Sequence, residues 1–384
     1  MAWTIAQPPD RLDLDSCVTC GLCLPVCPTY RLTGDETASP RGRLAAIEAV
    51  DRGDAVVDER FGEIVGFCLQ CRACETACPS MVPFGRIIES VNAEVTVMSP
   101  SRTRRFAVTS AVTKPILLRS ASIGIGVGQR LGVPSRGLRR LPVPHRTARG
   151  GSWGSDDAPT ATLFAGCVAD AWFSDVHKAT IEVLLAAGYR VDAPKGQTCC
   201  GALAAHDGYV DEADRMADTN RVALISSDLI VVDVAGCGAH LKADAVLGPK
   251  VRDVNEVVAA AIADGRLPSL PTNGESVAVQ DPCHLEHGQG IVDEPRAVLR
   301  AAGYTVVDAD AGGLCCGAAG TYLIDHPETS AELGRQKATA VVRTGARLVA
   351  SANAGCEMQL RRFLDDGYEI RHPIELYAAA LADR

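Results

Sequence analysis

Aromatic residues are scarce in this sequence, and long apolar runs are absent. Phe, Trp and Tyr make up 4% of the 384 residues, although hydrophobic residues as a whole reach 47%, which is typical of folded chains. No window approaches the roughly 20 apolar residues that cross a bilayer. The opening MAWTIAQPPDRLDLD also lacks the basic end, apolar stretch and cleavage site of a secretory signal. We therefore expect a cytoplasmic protein whose thiols stay reduced.

Acidic residues are missing from one long stretch. Between Glu94 and Asp156 the sequence has eleven Lys and Arg but no Asp or Glu, whereas the net charge of the whole chain is −9. We interpret residues 96–158 as a basic linker. Its first part could form an amphipathic helix interrupted near Pro115, and residues 124–157 are expected to be extended. Such a segment could contact an acidic surface, of this chain or of a partner, or the anionic lipid at the inner face of the cell membrane.

Sixteen cysteines are the most unusual feature of the composition. In a reducing compartment they favour metal binding over disulfides. Eight of them form two runs that share the spacing C-x2-C-x2-C-x3-C-P. The first run is Cys17, Cys20, Cys23 and Cys27 before Pro28, and the second is Cys68, Cys71, Cys74 and Cys78 before Pro79.

This spacing is the bacterial iron–sulfur pattern, in which the fourth cysteine ligates the neighbouring cluster. It therefore assigns cluster A to Cys17, Cys20, Cys23 and Cys78, and cluster B to Cys68, Cys71, Cys74 and Cys27. Residues 1–95 are predicted to form a helical ferredoxin-like domain with two [4Fe–4S] clusters. The alternative is two zinc sites, but zinc motifs separate two pairs of cysteines by a loop and do not place four within eleven residues.

Residues 159–384 contain an internal duplication. Cys167 precedes the pair Cys199–Cys200 by 32 residues, and Cys283 precedes Cys315–Cys316 by the same separation. A glycine follows each pair, so we name the repeats CCG units. Short apolar strands alternate with helices in both, which predicts parallel sheets. The expected fold class is α+β multidomain: the helical domain, then two pseudo-twofold related α/β units at 159–272 and 273–384.

Each CCG unit offers four candidate ligands. Adjacent cysteines are poorly suited to a disulfide because the short ring strains the backbone. One or two further clusters are therefore expected here, or else some of these cysteines are simply buried small side chains. The candidates are Cys167, Cys199, Cys200 and Cys237 in the first unit and Cys283, Cys315, Cys316 and Cys356 in the second. The nearby His240, His284 and His287 are expected to be structural or to line these sites.

The sequence is similar over nearly its whole length to the iron–sulfur subunit of bacterial glycolate oxidase, also called glycolate dehydrogenase. The motifs that carry this resemblance include CVTCGLCLPVCPTYRLTGDETASPRGRL, FCLQCRACETACPS, DPCHLEHGQG and LCCGAAGTYLIDHP. The duplicated half also resembles lactate-utilisation proteins and the cysteine-rich subunit of heterodisulfide reductase. In that last family each unit has one more cysteine, where this chain has Val234 and Asn353. This departure argues against a non-cubane cluster and against disulfide reduction.

The resemblance implies an electron-transfer subunit without catalytic residues of its own. FAD on a separate flavoprotein subunit would oxidise glycolate or a related 2-hydroxy acid, and the clusters would pass electrons singly to a quinone or another acceptor. No nucleic-acid partner is expected. The glycine-rich GIGVGQRLG at residue 124 lacks the strand–helix context of a dinucleotide site. The alternatives are an iron–sulfur subunit for D-lactate or glycerol-3-phosphate, and a disulfide or quinone reductase acting at the CCG cysteines.

Overall fold

The computed structural model describes residues 3–98, 113–133, 137–141, 147–309 and 313–384, together with residues 106, 109, 110 and 143. Arg102, Arg104 and Arg105, which belong to the amphipathic helix expected before Pro115, lie outside the described residues. In the described part of the chain, no helix is long and apolar enough to cross a membrane.

The N-terminal domain is built from helices that pack around an apolar core. Ser39 accepts a hydrogen bond from the Gly42 amide at 2.9 Å and so caps the helix that starts at Pro40. Leu44, Ile47 and Ile88 are buried in the shared core. A short 3-10 turn spans Glu36–Ala38. The helices are α1 (Arg11–Asp15), α2 (Pro28–Thr33), α3 (Pro40–Asp51), α4 (Glu59–Gly66), α5 (Ala73–Thr76) and α6 (Phe84–Met98).

The basic segment contains a helix that extends further than the sequence analysis predicted. Helix α7 covers Pro115–Arg130, so the expectation of an extended chain from residue 124 was wrong over its first turns. Gly126 in this helix allows close packing. A Cβ on Gly126 would lie 2.9 Å from the Val143 side chain and 3.2 Å from the Leu141 carbonyl oxygen. Leu141 and Val143 therefore lie against α7 where glycine leaves room.

The first CCG unit is a five-stranded sheet with the order β1-β3-β2-β4-β5. Only the β1–β3 pair is antiparallel; the other pairs are parallel and are connected through helices. The strands are β1 (Ser152–Trp153), β2 (Thr160–Leu163), β3 (Arg190–Asp192), β4 (Ile230–Val232) and β5 (Val251–Asp253). The helices are α8 (Val168–Trp172), α9 (Ser174–Ala186), α10 (Ala202–His206), α11 (Val210–Leu224), α12 (Ala235–Lys242) and α13 (Val254–Ala263), and Gly248–Lys250 is a 3-10 turn.

The second CCG unit repeats this plan with four parallel strands in the order β7-β6-β8-β9. This order matches β3-β2-β4-β5 of the first unit, so the prediction of α/β units with parallel sheets is confirmed. The strands are β6 (Ser276–Gln280), β7 (Thr305–Asp308), β8 (Leu348–Ser351) and β9 (Glu369–Arg371). The helices are α14 (Cys283–Gln289), α15 (Asp293–Ala301), α16 (Tyr322–Asp325), α17 (Pro327–Arg343), α18 (Ala354–Phe363) and α19 (Pro373–Ala382).

The two CCG units pack through corresponding helices. Helix α9 of the first unit contacts α19 of the second, and α13 contacts α15. Leu184, Val258, Val298 and Tyr377 from these four helices are fully buried in one hydrophobic cluster. Each contact thus joins the second helix of one unit to the last helix of the other. Because both sheets are parallel, the cysteines that follow their strands lie at the carboxyl edges.

Candidate iron–sulfur sites

Five cysteines line a cavity of about 440 Å³ at the surface of the N-terminal domain: Cys17, Cys20, Cys23, Cys74 and Cys78. We call the four that the sequence assigns to cluster A site A: Cys17, Cys20, Cys23 and Cys78. Three of these four come from the first run and one from the second. Cys20 is exposed, and so are the neighbouring Val18 and Leu22. Site A therefore faces solvent through a partly apolar rim.

A second cavity of about 370 Å³ is lined by the complementary set. We call it site B: Cys27, Cys68, Cys71 and Cys74. Cys74 also lines the site A cavity, so the two sites adjoin. Burial raises the pKa of Cys68, and it raises the pKa of Cys71 and Cys74 well above the usual range. A metal must therefore displace protons from these thiols when it binds.

The backbone around the second cysteine of each run has an uncommon conformation. Thr19 and Gln70, which precede Cys20 and Cys71, have φ of 54° and 52°. Gly21 and Arg72 follow these cysteines with φ of 81° and 63°. Left-handed non-glycine residues cost about 1–3 kcal/mol each and cluster at functional sites. Both runs are thus bent in the same way around a concave space, as wrapping a cubane requires.

The sequence analysis did not predict these left-handed conformations. Of the four residues that adopt them, only Gly21 is of a type that favours a positive φ. One consequence is a hydrogen bond to sulfur. The Gln70 amide donates to the Cys68 sulfur at 3.4 Å. Hydrogen bonds to cluster sulfurs raise reduction potentials, so the left-handed turn contributes to the electronic environment of site B as well as to its shape.

Site C consists of the four candidate cysteines of the first CCG unit. The Cys167 and Cys199 sulfur atoms are 3.2 Å apart, and Cys199 and Cys200 are buried. Contact with Cys199 and burial together raise the pKa of Cys167 well above its usual value. Cys237 approaches the same place, with its sulfur 3.9 Å from the Cβ position of Gly166. The members of site C are Cys167, Cys199, Cys200 and Cys237.

Site D consists of the corresponding cysteines of the second unit. The Cys316 and Cys356 sulfur atoms are 3.2 Å apart, and contact with Cys315 and burial raise the pKa of Cys283 well above its usual value. Asn353 donates a hydrogen bond to the Cys356 sulfur at 3.4 Å. The residue in place of an additional cysteine therefore supports a thiol of site D. The members of site D are Cys283, Cys315, Cys316 and Cys356.

Glycine is required after each adjacent pair of cysteines. Gly201 and Gly317 have φ of 96° and 78°, a conformation that favours glycine. A Cβ on Gly317 would also lie 2.7 Å from the Ser330 carbonyl oxygen. Absence of a side chain at Gly317 thus lets the Cys315–Cys316 pair lie directly against helix α17.

The N-terminal domain packs on the CCG units beside site D. Leu69, Cys71, Cys315 and Cys283 belong to one hydrophobic cluster. Helix α14 contributes polar contacts as well: a ring nitrogen of His284 is 2.9 Å from the Gln70 carbonyl oxygen. Sites B and D therefore lie against each other across the domain boundary, which the sequence analysis did not predict.

The three histidines near the CCG cysteines lie at this boundary. His287 Nδ1 is 3.1 Å from the Thr76 hydroxyl. Burial lowers the pKa of His240 and of His284 to about 4, so both rings are neutral at pH 7. His284 and His287 thus connect α14 to the N-terminal domain, and His240 Nε2 lies 3.4 Å from the Cβ position of Gly201.

No three His, Cys, Asp or Glu side chains within the described ranges have the arrangement that a single metal ion requires. The shared walls of sites A and B, and the bent turns around them, suit a larger thiolate-bound group. The chemistry of the donors also fits, because cysteine thiolates are the usual ligands of iron–sulfur clusters.

Comparison with known proteins agrees with these sites. Residues 13–82 match the family described as 4Fe-4S dicluster domain. Residues 161–242 and 277–361 each match the family described as cysteine-rich domain. The chain is 32% identical to the probable glycolate oxidase iron-sulfur subunit of Bacillus subtilis, over 92% of this chain and 89% of the relative. It is 30% identical to the glycolate oxidase iron-sulfur subunit of Escherichia coli, over 96% and 94%.

The chain belongs to the glycolate oxidase iron–sulfur subunit family. It is therefore an iron–sulfur protein of electron transfer, and the two matches to the cysteine-rich domain confirm the duplication. The resemblance inferred from the sequence is likewise confirmed. A shorter match is to lactate utilization protein A 1 of Bacillus mycoides, which is 28% identical over 54% of this chain and 91% of the relative.

Proposed function

We propose that this chain is the electron-transfer subunit of a flavin-dependent glycolate, or related 2-hydroxy acid, dehydrogenase complex. FAD on a partner subunit would oxidise the substrate, and electrons would leave singly toward a quinone or another acceptor. The observation that carries the proposal is the adjoining series of thiol sites A, B and D. Iron–sulfur clusters supply one-electron chemistry when bound, which a two-electron flavin donor needs.

The cysteines of each site have defined roles in this proposal. Sites A and B would each hold one [4Fe–4S] cluster, with Cys27 and Cys78 exchanged between the two runs. Sites C and D would hold one or two further clusters. The proposed division into 1–95, 96–158, 159–272 and 273–384 places each predicted cluster site within one unit. The reciprocal contacts of α9 with α19 and of α13 with α15 support pseudo-twofold symmetry.

The exposure of the sites suggests where electrons are exchanged. Cys20 of site A is exposed, whereas Cys71 and Cys74 of site B and Cys315 of site D are buried. Val18 and Leu22 at the rim of site A are 65% and 54% exposed. Large exposed apolar side chains beside a redox site favour contact with another protein. Site A is thus proposed as one terminus of the relay, with site B between it and site D.

The decisive experiment identifies the flavoprotein that copurifies with the chain under anaerobic conditions. Addition of glycolate to this complex is expected to bleach the broad cluster absorption near ~400 nm. Bleaching by D-lactate or glycerol 3-phosphate, without a response to glycolate, would assign the corresponding alternative substrate. Disulfide turnover by the isolated chain would instead favour a reductase acting at the CCG cysteines.

We also propose that the basic segment contacts anionic lipid peripherally, at the inner face of the cell membrane. Helix α7 exposes Leu117, Ile123 and Val127, and the sequence around it has no acidic residue between Glu94 and Asp156. Basic residues near such a surface contribute about 1 kcal/mol each. Some basic residues of the segment contact this chain as well: Arg139 donates to Glu375 at 2.8 Å, and Arg119 Nη2, in α7, lies 3.9 Å from the Asp170 carboxylate.

Liposome flotation of the complex tests the lipid contact. Ile123→Glu is expected to reduce binding to vesicles that contain anionic lipid. Val222→Glu is the matched control, because Val222 is a highly exposed apolar residue on α11. If both variants bind the vesicles as well as the unmodified complex does, the basic segment contacts acidic protein surface and not lipid.

A further inference from the structure

The motif LCCGAAGTYLIDHP ends in two residues that contact the N-terminal domain, Tyr322 and His326. The Tyr322 hydroxyl donates a hydrogen bond to the Phe67 carbonyl oxygen at 3.4 Å. His326 Nε2 is 3.1 Å from the Gly66 carbonyl oxygen, and because a carbonyl only accepts, this nitrogen donates. Both acceptors directly precede Cys68 of site B. The second CCG unit therefore holds the chain that leads into site B.

The two acceptors lie at the end of a helix. Helix α4 ends at Gly66, and Phe67 is its C-cap residue. The last carbonyl groups of an α-helix have no partner within the helix and need donors from elsewhere. Arg43 supplies another such donor, to the Ile64 carbonyl oxygen at 2.9 Å. Side chains of the second CCG unit thus complete a helix of the N-terminal domain just before its second run of cysteines.

Three rings pack together at this contact. The ring centroids of Tyr322 and His326 are 4.6 Å apart, and that of Phe67 lies 5.2 Å from His326 and 6.3 Å from Tyr322. Such separations are those of favourable aromatic pairs. Tyr322 is 5% exposed and shares a hydrophobic cluster with Cys71 and Cys315. The rings therefore connect the domain boundary to cysteines of both site B and site D.

The first CCG unit contacts the same run of cysteines from its corresponding position. His206 follows Cys200 by six residues, as Tyr322 follows Cys316. The His206 carbonyl oxygen accepts a hydrogen bond from Gln70 Nε2 at 2.9 Å. The repeated position thus meets the N-terminal domain in both units, on either side of the first cysteine of the second run. In the second unit this position is aromatic and adds ring packing.

We propose that Tyr322 and His326 are positioning residues, which hold site B at a fixed separation and orientation relative to site D. They act on the backbone beside Cys68 and touch no substrate. Neighbours whose own side chains are locked by packing and hydrogen bonds keep a site in its working geometry. Because electron transfer between two centres slows as they move apart, this placement would set the rate between sites B and D. That consequence rests on the function proposed above.

The first test measures the magnetic interaction between the two sites in the anaerobic full chain, reduced with dithionite. Cys315→Ser, without a cluster at site D, provides the reference resonance of site B. Tyr322→Leu is expected to shift the site B resonance toward this reference at unchanged iron content. Tyr322→Phe should restore the interaction, because the ring remains although the hydroxyl, which also lies near Thr329, is lost.

Tyr368→Leu is the matched control for this test. Tyr368 is a half-buried tyrosine of the same CCG unit, and its ring packs beneath the Arg347 guanidinium, 4.6 Å from the ring centroid. Its replacement is expected to leave the site B resonance unchanged. A Tyr322→Leu chain with full iron content and an unchanged magnetic interaction would overturn the proposal.

Hydrogen exchange of the full chain as purified gives a readout that needs no electron transfer. Backbone amides at 67–70 are expected to exchange about tenfold faster in Tyr322→Leu and in His326→Ala than in the unmodified chain. His326 is half-buried, so its replacement opens no cavity in the core. If iron analysis finds no cluster at site D, the relay is wrong, whereas faster exchange at 67–70 still supports the positioning of this turn. Unchanged exchange in both variants would contradict the positioning itself.

Discussion

Cys71 and Cys283 pack in one hydrophobic cluster, although they belong to different domains. Burial and the neighbouring Cys283 thiol raise the pKa of Cys71 well above its usual range. This contact makes the second CCG unit the neighbour of site B. The duplicated units are therefore not equivalent toward the N-terminal domain, and electrons that reach site B have site D beside them.

The first prediction concerns this contact. Cys315→Ser is expected to remove a cluster from site D and to stop electron transfer to the acceptor, while sites A and B still become reduced. Stopped-flow absorption of the complex, mixed with substrate and acceptor, measures the two events separately. Cys200→Ser, the corresponding change at site C, is the comparison. If Cys315→Ser passes electrons at the normal rate, site D does not lie on the path.

The second prediction tests the exchange of cysteines between the two runs. Cys27→Ser is expected to impair the same cluster as Cys68→Ser, because Cys27 lines the site B cavity with Cys68. Cys78→Ser should instead resemble Cys17→Ser. Iron analysis and the paramagnetic resonance spectra of the four variants decide the pairing. A match between Cys27→Ser and Cys17→Ser would show that each run holds its own cluster.

The third prediction concerns the buried ion pairs of Arg139. This side chain contacts the carboxylates of Glu357 and Glu375, all three being at most 10% exposed. Arg139→Met is expected to lower the free energy of unfolding by about 3 kcal/mol, since it leaves buried carboxylates without this partner.

Chemical denaturation with the clusters retained measures the loss. Arg60→Met is the control, because the Arg60–Glu63 pair is exposed and such pairs contribute less than about 1 kcal/mol. A loss at Arg139 no larger than at Arg60 would contradict a structural role for these contacts.

The fourth prediction is a pH dependence of stability. Burial lowers the pKa of His372 to about 4, although the nearby Asp233 and Glu375 carboxylates raise it. In the unfolded chain the value is ~6.5. Between these values the unfolded chain binds more protons than the folded chain, so stability falls as the pH falls.

His372→Asn is expected to reduce the slope of the unfolding free energy against pH by roughly 1 kcal/mol per pH unit. Asparagine can keep the helix cap that His372 Nδ1 makes with the Ile374 amide. Unfolding free energies between about pH 5 and about pH 7 provide the comparison. Identical slopes for the two proteins would show that His372 titrates normally in the folded chain.

The sequence alone predicted the features that depend on the spacing of residues along the chain. The cysteine runs, the duplication and the alternation of strands and helices are all local or periodic features, and the structure agrees with the predicted α/β units. The left-handed turns at Gln70 and Arg72 were not predictable, because nothing in these residue types favours that conformation.

Features that depend on packing between distant segments were also missed. Helix α7 continues through Gly126 and Gly128, where Leu141, Val143 and Val133 pack against it, whereas glycine alone disfavours helices. The contact of His284 with Gln70 joins two domains that the sequence analysis treated separately.

The most direct test of the relay is metal analysis combined with a reductive titration of anaerobically purified chain. Sites A and B alone should supply about eight iron ions with equal acid-labile sulfide. Full reduction should give a resonance spectrum split by magnetic coupling between the two neighbouring clusters. Stoichiometric zinc with negligible iron and sulfide would contradict the account, and so would clusters whose spectra remain those of isolated centres.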